Sequence, residues 1–209
     1  IGYHLYIKDL RSHVEYEFGE SRAYPICSSF KLAVLMAFFE SLDDVRELDE
    51  LVTIDPSTHS AGASVIGIFT SSVRVTYRHC AQLMMGFSDG TATDVLIRKV
   101  GISAVNEMLQ KHCERSLLTK NLDGIVRDFQ ERFIIPELKN GSAVESFAFS
   151  DYTNAKDLAQ LATASWQYQP RSVGRLDYLE CLTVKKCWPR TSLFFEPSIQ
   201  VIGKGGSIG

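Results

Sequence analysis

The sequence predicts an α+β fold: an antiparallel sheet packed against helices, with a helical subdomain. Three observations carry this. Strand patterns occupy both ends, at residues 1–7 with 14–18 and at 198–203. Helical patterns fill the middle. One of these, residues 32–39, is apolar at every position, as a helix buried on all sides is. Terminal strands paired in one sheet, with the helices between them laid against it, satisfy this order of elements. The chain reads as a single domain over 1–209, with sheet parts at about 1–20 and 198–209 and the helical part at about 25–190.

Each element has its local reason. Val14, Tyr16 and Phe18 alternate with Glu15 and Glu17, a period of two with one wet face, and form a hairpin with residues 1–7. The connector 19–25 leads into the apolar helix. Asp43, Asp44, Glu47, Asp49 and Glu50 read as a solvated surface. Residues 51–54 form a short strand ended by Asp55-Pro56, and 57–67 are loop. Thr76 starts a helix that stops near Phe87-Ser88-Asp89-Gly90, and Thr91 caps the next, with Val95, Leu96, Ile97 and Val100. Gly101 ends that helix and 104–112 form another. Residues 114–150 have weak periodicity and read as loop with short helical pieces. Residues 154–166 make an amphipathic helix with Leu158, Leu161 and Ala162 on one face, and 175–187 make a further one.

Composition narrows the function classes. The chain has 209 residues, 45% hydrophobic and 22% charged, enough for a real core. A net charge of -3 and a pI of about 6.0 lack the basic footprint of a nucleic-acid binder. The longest apolar run is far short of the ~20 residues that span a bilayer. No leader pattern opens the sequence. Cys27, Cys80, Cys113, Cys181 and Cys187 are odd in number and contain no Cys-x-x-Cys, which argues against a disulfide framework or a zinc site. His4, His13, His59, His79 and His112 show no His-x-x-x-His spacing, so no metal site is expected. Asn140-Gly141-Ser142 reads as a turn.

The chemistry sits at the mouth of the apolar helix. In Tyr24-Pro25-Ile26-Cys27-Ser28-Ser29-Phe30-Lys31, Ser28 and Lys31 are three residues apart and so share one helix face. The helix start also leaves free N–H groups near Ser28. A serine hydroxyl needs a base to become a nucleophile, and a lysine in an apolar pocket can act as one because desolvation disfavours its charged form. Ser88-Asp89-Gly90 lies between two helices, and Lys204-Gly205-Gly206-Ser207 ends the last strand.

These three motifs together resemble the class A β-lactamase and penicillin-binding-protein superfamily of serine hydrolases. The local contexts match as well. Residues 24–31 are similar to that family's F-P-M-C-S-T-F-K segment, and 83–94 to its L-M-x-x-S-D-N-T-A-x-N segment. Residues 151–158 resemble the helix start after its omega loop. The likeness runs in order over nearly the whole chain. It implies an acyl-enzyme on Ser28, with Lys31 as base or proton relay and Ser88 passing a proton to the leaving nitrogen. Lys204 is implied as positive charge for a substrate carboxylate, and Gly90, Gly205, Gly206 and Ser207 as the substrate-binding wall. The implied substrate is a small β-lactam, amide or ester, with no cofactor, no nucleic acid and no membrane span. The likeness also implies a secreted or periplasmic compartment.

Three departures shape the expectation further. Gly90 stands where the family has Asn, and Gly205 where it has Thr, which alters substrate fit. No Glu-x-x-x-Asn lies between Ser88 and Lys204, so the carboxylate that activates the deacylating water is not in its usual place. Asp123, Glu131 and Glu137 are the candidate substitutes. Both ends look cut relative to the family, which has a helix before the first strand and further strands and a helix after the third motif. Transpeptidase-, esterase- or cyclase-like acyl transfer, and a non-catalytic binding relative, are the alternatives.

Overall fold

The computed structural model describes residues 3–21, 24–129 and 152–184. Its first element is the expected hairpin, β1 (His4–Lys8) with β2 (Glu15–Gly19), antiparallel with Leu5 opposite Phe18 and Ile7 opposite Tyr16. Two further antiparallel pairs follow: β3 (Tyr24–Pro25) with β6 (Tyr152–Thr153), and β4 (Leu51–Ile54) with β5 (Val73–Thr76). The strand expected at 198–203 lies outside the described residues. The helix expected over 175–187 ends earlier, at Leu182, with Thr183 and Val184 beyond it; residues 185–187 and 130–150 lie outside the described residues.

The organising element is α1 (Lys31–Glu40). Lys31 to Phe39 are all buried, and the helix touches α2 (Tyr77–Gly86), α3 (Gly90–Val100), α4 (Ile102–His112) and α6 (Ala155–Gln167). An apolar side chain of this size contributes about 1.5–3 kcal/mol on full burial, so α1 is the main anchor of the core. Phe39 meets Tyr178 edge to face at 5.1 Å, from α7 (Arg175–Leu182), and Tyr178 in turn shares a 2.6 Å hydrogen bond with Ser165. The remaining α-helix among the described residues is α5 (Leu122–Phe129).

Several local expectations change once packing is known. The helix after the second motif starts at Gly90, not after Thr91. The Asp89 carboxylate accepts the Ala92 N–H at 2.8 Å and is its cap, while Thr91 is buried and its hydroxyl accepts from the Ser60 N–H at 3.1 Å. The inward face of α6 is Asp157, Leu161 and Ser165, spaced by four, and Ala162 is exposed. Two polar residues can lie inward because both are satisfied. Asp157 accepts from the backbone of Glu114 and Arg115 and from the Ser116 hydroxyl at 2.8–3.2 Å, and Ser165 meets Tyr178. β5 went unread in the sequence, since four residues with an arginine among them carry little alternation. The acidic stretch forms a one-turn 3₁₀ helix, Val45–Asp49, capped by Asp44.

The hairpin also turns an unexpected face to the helices. His4 docks it on α6: its Nδ1 accepts the Ala155 N–H at 3.2 Å and its Nε2 lies 2.8 Å from Glu17. The apolar set Leu5, Ile7, Tyr16 and Phe18 points the other way, 48–57% exposed. Alternation dictates which residues share a face, not which face meets the helices.

Candidate active site

Chain geometry at the head of α1 brings the serine and lysine together. Cys27 to Phe30 form a single 3₁₀ turn that runs straight into α1. With about three residues per turn, positions i and i+3 eclipse in such a turn. Lys31 Nζ accordingly stands 3.2 Å from Ser28 Oγ. The Lys31 side chain is fully buried, and Ser28 is half-buried. The turn is entered through Cys27 at φ 48°, a left-handed value that costs a non-glycine residue about 1 kcal/mol.

Two rival nucleophiles beside Ser28 are already committed. The Ser29 hydroxyl donates to the Ile26 carbonyl within the turn. Burial pushes the Cys27 thiol up to about 11, so roughly one molecule in 10⁴ carries a thiolate at neutral pH. Iodoacetamide is therefore expected to label Cys27 slowly near pH 7. The rate should rise about tenfold per pH unit toward pH ~11, because the thiolate is the reactive form. Fast, pH-independent labelling by mass spectrometry would show that the thiol is not held in this way.

The third group comes from the α2–α3 connection, 57 residues further along. Lys31 Nζ donates to Ser88 Oγ at 2.9 Å and to the Ser88 carbonyl at 2.7 Å. Ser88 sits at φ 61°, the second left-handed residue of the site. What holds it there is Asp89. The fully buried Asp89 carboxylate accepts from the N–H groups of Val65 and Ile66 at 2.6 and 3.0 Å, from Ser64 Oγ at 2.9 Å and from the Ala92 N–H. One side chain thus ties the 64–66 loop to the start of α3 and fixes the residue before it. The sequence reading missed this role, although an aspartate just ahead of a helical run is a cap signal. Asp89→Ala leaves four donors without their acceptor, and thermal melting should show a loss on the order of 3 kcal/mol. Acylation should slow as well, because Ser88 loses its support.

Gly90 is buried at the first position of α3, its N–H donating to the Ala63 carbonyl at 2.8 Å. Asp123 lies in the first turn of α5. Its Oδ1 accepts the Ala61 N–H at 2.8 Å and its Oδ2 pairs with Arg127 at 2.7 Å. The Arg127 guanidinium holds its carboxyl below the usual carboxylate range. Lys204, Gly205, Gly206, Ser207, Glu131 and Glu137 lie outside the described residues.

Comparison with known proteins agrees with this architecture. The fold is that of the β-lactamase/transpeptidase-like superfamily. A β-lactamase from Chitinophaga pinensis superposes with a TM-score of 0.71 at 13% identity, over 93% of this chain and 68% of that one. A β-lactamase from Sphaerobacter thermophilus gives 0.63 at 20% identity, over 84% and 61%. An acyl-enzyme complex of PBP-A with penicillin G gives 0.63 at 24% identity, over 87% and 62%. The chain therefore spans about three fifths of the length of several of these relatives. No curated protein matches the sequence. The model of the β-lactamase enzyme family matches residues 2–209, and the chain belongs to that family.

Proposed function

We propose that the protein is a serine hydrolase that opens a small β-lactam, or a related amide or ester, through an acyl-enzyme on Ser28. The observation that carries this reading is the placement of one enclosed lysine nitrogen against two serine hydroxyls, at 3.2 Å from Ser28 Oγ and 2.9 Å from Ser88 Oγ. With Lys31 as the neutral amine, the Ser28 proton passes to Nζ as Oγ bonds to the substrate carbonyl carbon. The proton then moves by way of the Ser88 hydroxyl to the nitrogen that leaves as the carbonyl–nitrogen bond breaks. The Ser28 N–H, at the first turn of a helix, is among the donors with no intrahelical acceptor and suits the developing oxyanion. In this reading Lys204 supplies the charge that holds a substrate carboxylate, Gly205 and Gly206 belong to the substrate-binding wall, and a backbone N–H at Ser207 completes the oxyanion hole.

One observation favours a second reading in which transfer to an amine or alcohol replaces fast hydrolysis. Asp123, the one of the three candidate acids that lies within the described residues, already accepts from Ala61 and Arg127. A carboxylate so engaged is a weak base.

Intact-mass analysis after incubation with benzylpenicillin tests the proposal. The expected result is one adduct per chain, mapped to Ser28 and absent from Ser28→Ala, whose melting temperature should stay near that of the parent because only a hydroxyl is lost. An adduct on Ser29 or Ser88 would remove Ser28 as the nucleophile, and equal retention of penicillin by Ser28→Ala would overturn the acyl-enzyme reading itself. The latter result identifies a binding relative.

A further inference from the structure

The loop tied to Ser88 by Asp89 has its polarity turned inside out. Residues 60–65 alternate between half-buried and exposed positions. Ser60, Gly62 and Ser64 are the half-buried set, and both hydroxyls are spent within the fold. Ser60 Oγ accepts the Gly62 N–H at 3.3 Å, and Ser64 Oγ donates to Asp89 at 2.9 Å and accepts the Gly67 N–H at 2.8 Å. The exposed set is Ala61, Ala63 and Val65, all apolar. A surface loop ordinarily shows the reverse, because an apolar side chain left in water forgoes the gain of burial.

Phe87 extends this apolar surface. It is 47% exposed, although it directly precedes Ser88. The end of a helix does not call for phenylalanine; glycine, asparagine or a cation serves it better. Gly86 before it is closed in, since a Cβ there would stand 2.6 Å from Val184 Cγ1. Exposed apolar side chains scattered singly are common, but Val65 and Phe87 are both held at the segment that presents Ser88. Val65 gives its own N–H to the Asp89 carboxylate at 2.6 Å. Ala63 accepts the Gly90 N–H at 2.8 Å, and the N–H groups of Phe87 and Asp89 both donate to the Leu83 carbonyl, at 3.0 and 3.2 Å.

We propose that Val65 and Phe87 contact the leaving-group side of the substrate, and that the protein selects β-lactams with an aryl or other bulky apolar substituent on the ring that contains the leaving nitrogen. This inference rests on the serine hydrolase reading. In that reading Ser88 hands its proton to the leaving nitrogen, so the substituents of that ring lie on the Ser88 side of the bond that breaks. The side chains next to Ser88 offer alkyl and aromatic surface, and Gly90 offers no side chain that could hydrogen-bond to an amide. Such a contact is present before and during bond breaking, so it acts on substrate binding and not on the chemical step.

Single-turnover acylation by a matched pair of cephalosporins tests this. The two share one phenylacetylamino group and the carboxylate, and carry methyl or styryl on the ring fused to the lactam. The ratio of their second-order acylation rate constants is the preference, and the intrinsic reactivity of each compound cancels when variants are compared. Phe87→Ala should lower the styryl-to-methyl ratio about tenfold, the low end of what an apolar contact supplies to discrimination. Val65→Ser should lower it about threefold, and Phe87→Leu should keep most of it. Leu176→Ser, at an exposed residue of α7, should leave it unchanged. A third compound, the methyl cephalosporin with formylamino in place of phenylacetylamino, varies the acyl side, and Phe87→Ala should leave the parent's discrimination between these two acyl groups intact. Equal slowing of the styryl and methyl compounds by Phe87→Ala, or a lost discrimination on the acyl side instead, would overturn the assignment while Ser28 is still acylated. Absence of an adduct on Ser28 with all three compounds would overturn the hydrolase reading itself, and this inference with it.

Discussion

Lys31→Met should slow acylation of Ser28 by about two to four orders of magnitude, the usual contribution of a general base. Methionine keeps most of the buried volume, so the core around α1 is spared the cavity that alanine would leave. What it removes is the nitrogen that meets Ser28 Oγ, Ser88 Oγ and the Ser88 carbonyl. The fold should tolerate the change with a shift of a few degrees in melting temperature, because the buried volume is largely kept. Single-turnover acylation with a chromogenic cephalosporin measures the rate directly. An acylation rate within tenfold of the parent would remove Lys31 from the proton path. Lys204→Ala provides the contrast. A charge that holds a substrate carboxylate acts through binding, so this variant should weaken carboxylated substrates and leave an uncharged ester nearly untouched. Equal losses for both lysine variants on such an ester would mean that the roles are not divided in this way.

Turnover should show a burst of one product per chain followed by a much slower steady state, with a long-lived adduct on Ser28. On the proposed function, acylation draws on groups that lie together around Lys31. Deacylation of a lactam adduct needs a water activated by a carboxylate, and a missing positioned base costs about 10²–10⁴-fold in that step. Of the three acids considered for the task, Asp123 is spoken for by Ala61 and Arg127, and the arginine keeps it ionised and weakly basic. Glu131 and Glu137 lie outside the described residues. Stopped-flow hydrolysis with parallel mass spectrometry separates burst from steady state. Sustained turnover near ~10 s⁻¹, an ordinary enzyme rate, with no adduct accumulating, would show that a competent base is present. Alanine substitution of Asp123, Glu131 and Glu137 in turn would then identify it. Addition of an amine or alcohol acceptor should raise the steady state if transfer is the natural outcome.

Local sequence carried a good deal of this site. The pairing of Ser28 with Lys31 follows from a spacing of three at a helix entrance, and that relation survives whether the turn is α-helical or, as found, 3₁₀. The burial of α1 follows from eight consecutive apolar residues. The helix starts at Thr76 and Asn154 were legible, and each of these side chains accepts a backbone N–H as the cap. The hairpin was legible from alternation. All of these depend on interactions within a few residues or on a short period, so the sequence alone determined them.

Tertiary structure decided the rest. Ser88 reaches Lys31 across 57 residues, and the contact depends on a left-handed backbone that only the surrounding bonds enforce. The choice of Asp89 over Thr91 as the cap of α3 depends on the 64–66 loop folding over that carboxylate. Which serine is available at residues 28–29 was settled by where the Ile26 carbonyl points. The inward face of α6 is half polar because Ser116, the backbone at 114–115 and Tyr178 come to meet Asp157 and Ser165. The outward turn of Leu5, Ile7, Tyr16 and Phe18 belongs to the same class. A period of two or 3.6 names the residues that share a face, but only the partners brought from elsewhere in the chain determine which face is buried and which polar groups there are satisfied.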